Sequence, residues 1–259
     1  MALIRTETDA RGVCTLTLAR AQKHNAMSAQ MIDDIADAAQ TLSTDDKVRV
    51  VVLAADGPTF CAGGDLGWMR DQMDASDADR RAGAMRLARM LQALNTLPKP
   101  LIGRVHANAF GGGVGLMSVC DTVITVPEAK FGLTETKLGL IPATIGPYVV
   151  ARIGETNARR VFMNSRLFTA QDAKDFGLVA HVVATDELDK AIAEEVAPYL
   201  ACAPGAVAAA KALTRSLGTP IDDTVIAASA DALVAAWEGG EAREGIAAFF
   251  DKRKPRWAE

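Results

Sequence analysis

Apolar residues alternate with polar ones along Val13-Cys14-Thr15-Leu16-Thr17-Leu18, a period of two that predicts a half-buried strand. Downstream the period lengthens. Ser28 is a good N-cap for a helix running to Leu42, with Ile32, Ile35, Ala39 and Leu42 on one face. The β-branched run Val48 to Leu53 predicts a second strand, followed by a loop from Asp56-Gly57-Pro58 to Gly67 and a charged helix to about Leu97. Pro98 and Pro100 close that helix ahead of a strand from Leu101 to Val105. A glycine run at 111–115, short strands at Asp121–Val126 and around Lys130–Gly132, a helix from Thr169 to Phe176 and a last strand Leu178–Val183 complete this part. The Thr169-x-x-Asp172 spacing is that of a capping box, and Gly177 ends its helix. Beyond Asp186 the pattern is helical, with alanine-rich stretches at 206–212 and 226–236.

Strands alternating with helices, then helices alone, predict an α/β body over residues 1–195 and a helical C-terminal region over 196–259. Small-residue helical faces there suit packing, including packing between subunits. The 259 residues, 49% of them hydrophobic, are ample for a core. A net charge of -4 argues against nucleic acid as a partner. The three histidines, His24, His106 and His181, form no metal-spaced pair. The four cysteines show neither CxxC pairing nor a disulfide framework, and no secretory or membrane-spanning segment is evident. A cytoplasmic protein is expected.

P-loop, GxGxxG, GxSxG and HExxH patterns are all missing. With few imidazoles, chemistry would have to come from the backbone. Two segments join a strand to a helix through glycine: Cys61-Ala62-Gly63-Gly64-Asp65-Leu66 and Gly111-Gly112-Gly113-Val114-Gly115. Each reads equally as a tight turn that lets a helix pack on a sheet. Alternatively, N–H groups unpaired at a helix start and exposed by glycine could converge as an oxyanion hole. Glu135, beside Thr136 and Lys137, reads from spacing alone as a solvated surface carboxylate.

The ordered set Phe60-Cys61-Ala62-Gly63-Gly64-Asp65-Leu66, Gly111-Gly112-Gly113, Cys120-Asp121 and Phe131-Gly132-x-x-Glu135-x-x-Leu138-Gly139-x-Ile141-Pro142 resembles the enoyl-CoA hydratase/isomerase (crotonase) superfamily. The resemblance implies a spiral of ββα units with C-terminal helices that assemble trimers or dimers of trimers. It implies an acyl-CoA substrate and no cofactor beyond the coenzyme A of that substrate. Carried over position by position, Ala62 and Gly112 would donate the N–H groups of an oxyanion hole and Glu135 would be the acid–base. Lys23, Ala26, Ala62, Gly63, Gly64, Asp65, Leu66, Gly111 and Gly112 would border coenzyme A. Trp68 and Met69 are candidates for the acyl pocket, as for ordinary packing. Asp65 could cap its helix, and Asp121 reads as a strand-start residue.

Hydratases of the superfamily carry two glutamates, and this chain has Gly115 where the first belongs. One carboxylate suffices to move a proton between carbons, which suits a Δ3,Δ2-enoyl-CoA isomerase. With one water it also suffices to hydrate. The run from Gly111 to Leu116, with Phe131 to Val150, is similar to bacterial methylglutaconyl-CoA hydratases, which favours hydration. A non-catalytic acyl-CoA binder is the third possibility. A substrate with a free carboxylate would want a cation, for which Arg70 and Lys137 are the nominees, although both read more simply as surface charges.

Overall fold

The computed structural model describes residues 2–259. An edge strand that the hydrophobic pattern does not announce, β1 (Ile4–Thr8), pairs antiparallel with β2 (Val13–Leu18). Then follow α1 (Ala29–Thr44), β3 (Val50–Ala55), α2 (Leu66–Asp74), α3 (Asp77–Thr96), β4 (Leu101–Val105), β5 (Ala109–Phe110) and α4 (Gly112–Val119). The next elements are β6 (Thr122–Thr125), β7 (Lys130–Gly132), α5 (Gly146–Phe162), β8 (Phe168–Thr169), α6 (Ala170–Asp175) and β9 (His181–Val182). Four helices close the chain: α7 (Leu188–Leu200), α8 (Pro204–Ser216), α9 (Asp223–Glu238) and α10 (Gly240–Phe250).

The main sheet has the order β1-β2-β3-β4-β6-β9, with every pair after the first parallel. All six residues of β3 are buried, as expected for a central parallel strand covered on both faces. A smaller sheet, β5-β7-β8, stands beside it and carries the glycine turns. Ser28 caps α1, and Ile32, Ile35, Ala39 and Leu42 are its buried stripe, as the periodicity predicts.

Three differences from the sequence pattern have local causes. The expected charged helix to Leu97 is two helices, because Ser76 accepts the Asp79 N–H and begins a new one. The strand expected at Leu178–Val183 shrinks to His181–Val182, since the Leu178 and Val179 amides both bond the Ala173 carbonyl and close the end of α6. Helix α5 lies where no element was expected; Gly154 (φ 72°) interrupts it, which blurs its periodicity.

Residue 195, the expected division between body and C-terminal region, falls inside α7, whose Leu188, Ile192 and Val196 join the main core. The helices beyond it are mostly superficial: α8 buries no residue at all. Helix α9 nonetheless packs on α3 of its own chain, and Trp237 is only 7% exposed. Among the described residues no single helix is long and apolar enough to cross a membrane. The bent pair Thr185–Leu200 and Pro204–Ser216 meets that test by composition, with its apolar residues 188, 192 and 196 spent on the sheet.

Candidate active site

The two glycine turns are stitched together. Cys61 and Ala109 form a parallel bridge, the Phe60 N–H donates to the Asn108 carbonyl at 3.0 Å, and the Phe110 N–H donates to the Cys61 carbonyl at 2.9 Å. Side chains would keep the strands apart here. A Cβ on Gly63, whose φ is +90°, would lie 3.1 Å from the Phe110 carbonyl oxygen. Gly111 (φ +48°) ends this approach, and a Cβ there would lie 2.9 Å from Glu135 Oε1. The second turn therefore admits the carboxylate because it has no side chain.

Which amides are free follows from the pairing. The Ala62 N–H, expected to face the substrate, donates instead to the His24 carbonyl at 3.0 Å, so Ala62 is not an oxyanion donor. Two residues on, Gly64 bridges Met27 in parallel: the Met27 N–H donates to the Gly63 carbonyl and the Asp65 N–H to the Met27 carbonyl. Peptide groups in such a pairing point alternately toward and away from the partner. The Gly64 N–H is thus turned away from Met27, and it donates to no group among the described residues. Gly112 is the first residue of α4, where an N–H has no partner within the helix and sits at the positive end of its dipole. The free donors are Gly64 and Gly112, not Ala62 and Gly112. Sequence spacing shows two glycines after Ala62 but not which peptide plane turns inward.

Gly64, Gly112 and Glu135 line one cavity of about 110 Å³ with Met27, Trp68, Met69, Leu87, Leu140, Ile145, Leu233 and Trp237 among its walls. Glu135 opens a 3-10 turn, Glu135–Leu138, closed by Gly139 in the left-handed region (φ 69°). It is no solvated surface residue: its Oε2 is buried and has no hydrogen-bond partner. Burial pushes its carboxyl up to about 7, only partly offset by its own backbone N–H. Among the described residues, Glu135 is the sole ionisable one on the cavity wall.

Trp68 and Met69 do line the cavity, and Leu233 and Trp237 of α9 close it from a part of the chain that sequence reading assigned to subunit packing. Their only signal is membership of an apolar helix face. Ile145 lies against Gly115: a Cβ on that glycine would be 2.6 Å from Ile145 Cγ2. Apolar volume occupies the place where a first glutamate would begin.

The remaining expected ligand residues surround this centre. Asp65 caps α2 by accepting from the Gly67 and Trp68 amides at 2.8 and 3.1 Å, and its other oxygen takes the Arg20 guanidinium at 2.6 Å. Burial pushes its carboxyl up, but Arg20 and the two amides outweigh this and hold it below the usual range. Its polar atoms are committed within the protein rather than available to ligand. Arg20, which sequence reading passed over, also donates to the Ala26 carbonyl at 2.7 Å and so ties the 20–26 segment to the first glycine turn. Lys23 and Leu66 are exposed, whereas Ala26 is buried. Arg70 stacks over the Phe250 ring at 4.3 Å and Lys137 is exposed, so neither lines the cavity. Asp121 holds the Leu101 N–H and the Lys211 ammonium at 2.8 and 2.7 Å, away from the cavity, as its reading at a strand start anticipates.

A family model described as enoyl-CoA hydratase/isomerase matches residues 8–259. The chain belongs to that family. A putative enoyl-CoA hydratase of Thermus thermophilus is 35% identical over 91% of this chain and 93% of its own. The mitochondrial methylglutaconyl-CoA hydratase of Mus musculus is 32% identical over 97% of this chain and 81% of its own. Among solved structures, an enoyl-CoA hydratase of Mycobacterium smegmatis superposes with a TM-score of 0.81 at 35% identity, covering all of both chains. The ββα body followed by C-terminal helices is therefore the crotonase fold, as the motif order implies.

Proposed function

We propose that this member of the enoyl-CoA hydratase/isomerase family hydrates a 2-enoyl-CoA, with Glu135 as the acid–base and the Gly64 and Gly112 amides as the oxyanion hole. One observation carries the reading: two unpaired backbone donors and one carboxyl with a buried, unpartnered Oε2 share a single apolar cavity. The thioester carbonyl oxygen accepts from both amides. Glu135 takes a proton from water as the water oxygen bonds to Cβ, and the electron pair of the double bond moves into the thioester as an enolate. Protonated Glu135 then returns the proton to Cα, so the net change is addition of one water. A carboxyl poised near 7 suits both halves at neutral pH. Losing one such donor raises the barrier by about 3–4 kcal/mol in sites of this type. Coenzyme A arrives as part of the substrate, along the strip of Lys23, Ala26, Gly63, Leu66 and Gly111.

Glu135→Gln tests this: kcat should fall by roughly 10²–10⁴ with coenzyme A thioester binding retained. Near-normal turnover by that variant would overturn the assignment. The substrate panel is run in D₂O and includes 3-enoyl thioesters, because the apolar filling beside Gly115 leaves one carboxylate and also supports isomerisation. A hydroxyl in the product supports hydration; double-bond migration supports the isomerase, and binding without turnover a non-catalytic role. Methylglutaconyl-CoA belongs on the panel, since the relative from Mus musculus at 32% identity is a methylglutaconyl-CoA hydratase.

We extend the proposal to assembly and compartment. Helix α8 buries nothing, and Leu213 within it and Leu217 just past its end are exposed, which supports subunit contacts of a homotrimer or a dimer of trimers. Light scattering at a mass of three or six chains is the expected result. Free, buried Cys14, Cys61 and Cys120 support a reducing cytoplasm.

A further inference from the structure

The aim of Glu135 is set by its backbone, because no side chain holds it. Oε2 is unpartnered, and Thr134 gives the turn no side-chain cap. Backbone bonds hold the turn: Lys137 N–H to the Thr134 carbonyl at 3.2 Å, Gly139 N–H to the Thr136 carbonyl at 3.3 Å and Leu140 N–H to the Glu135 carbonyl at 3.1 Å. The Thr136 hydroxyl also meets the Ser165 hydroxyl at 2.5 Å.

Helix α10 touches the turn backbone to backbone. A Cβ on Gly245 would lie 2.5 Å from the Leu138 carbonyl carbon and 2.6 Å from its oxygen. From the other side, a Cβ on Gly139 would lie 2.3 Å from Glu241 backbone atoms and 2.7 Å from the Ala242 nitrogen. Gly245 and Ala242 stand three residues apart, on one face of α10, and both are buried. The helix is anchored in turn. Ala242 and Ile246 pack with Leu140 and Trp237 in an apolar cluster separate from the main core, and Glu244 pairs with Arg253 at 2.7 Å. Two of that cluster, Leu140 and Trp237, also line the cavity.

We propose that Gly245 and Gly139 interlock α10 with the 135–138 turn and thereby position Glu135 against the Gly64 and Gly112 amides. They are positioning residues for the chemistry, acting from a helix that sequence reading gives to assembly. The proposal rests on Glu135 being the acid–base. Carbon atoms in contact sit about 3.5–4.0 Å apart, so a methyl at 245 displaces the turn by roughly 1 Å. A misplacement of that size can cost about 10²-fold in rate.

The test is Gly245→Ala, with Gly240→Ala, where nothing lies within 4 Å, as the control on the same helix. Expected for Gly245→Ala are a kcat lower by about 10–100-fold and a KM within about threefold. Water reaching the carboxyl should also move the acid limb of kcat down by at least about one pH unit. Gly240→Ala should match the parent. Carbon-detected NMR titration of Glu135, assigned by its loss in Glu135→Gln, reads the same shift without turnover. Loss of stability with unchanged kcat per folded molecule and an unchanged titration would overturn the proposal. So would equal effects of both glycine variants. Should Gly245→Ala fail to fold, Ala242→Gly loosens the same contact and must show the same downward shift. If Glu135→Gln keeps parental turnover, the acid–base reading has failed; if only Glu135→Gln is impaired, the positioning has.

Discussion

Ile145 stands in the space that a side chain at Gly115 would enter, with its Cγ2 at 2.6 Å and its Cβ at 3.0 Å from where that Cβ would be. The loss of one glutamate is thus matched by an apolar gain across the helix interface. The single-carboxylate site is a packed arrangement of two residues.

Restoring the acid alone should fail. Gly115→Glu is expected to cost about 1–3 kcal/mol through overpacking and to lower activity. In an Ile145→Ala background the same change should cost at least about 1 kcal/mol less. Urea unfolding of the four proteins measures this coupling. Strict additivity would mean that Ile145 does not contest the space.

Stability should depend on pH through Glu135. Its folded pKa of about 7 lies above the ordinary 4.5, so the native state binds the proton more tightly than the unfolded chain. The stabilisation is full below about 4.5 and is lost as pH rises through about 7, a loss on the order of 3 kcal/mol. Glu135→Gln, which cannot ionise, should therefore gain on the parent between pH 5 and about 8. A stability difference between the two that stays flat over that range would contradict a buried carboxyl.

Adjacent glycines should differ sharply. Gly63→Ala places a methyl at φ +90° and 3.1 Å from the Phe110 carbonyl oxygen, so a loss of about 1–3 kcal/mol is expected. Gly64→Ala meets only Trp68 and Met69 atoms at 3.8 Å. It should stay within about 0.5 kcal/mol of the parent in stability, with its N–H donor still in place. Thermal unfolding checks both. A strongly destabilised Gly64→Ala would show that the cavity is tighter at that wall than these distances allow.

By itself the sequence determined what depends on local order: a strand expected at Val48–Leu53 and found at Val50–Ala55, the stripe on α1, the capping box at Thr169, and the motif order that marks the family. It also supplied Glu135 and the two glycine turns. Tertiary structure decided what depends on long-range pairing. Ala62 donates to His24 and Gly64 to no group among the described residues, because the 24–27 segment pairs alongside them. Glu135 is raised toward neutrality because residues as distant as Ile145, Leu233 and Trp237 wall the same cavity. Local periodicity names the residues that will be buried. Peptide-plane direction, free donors and the solvation of a carboxyl are set by which distant segments meet.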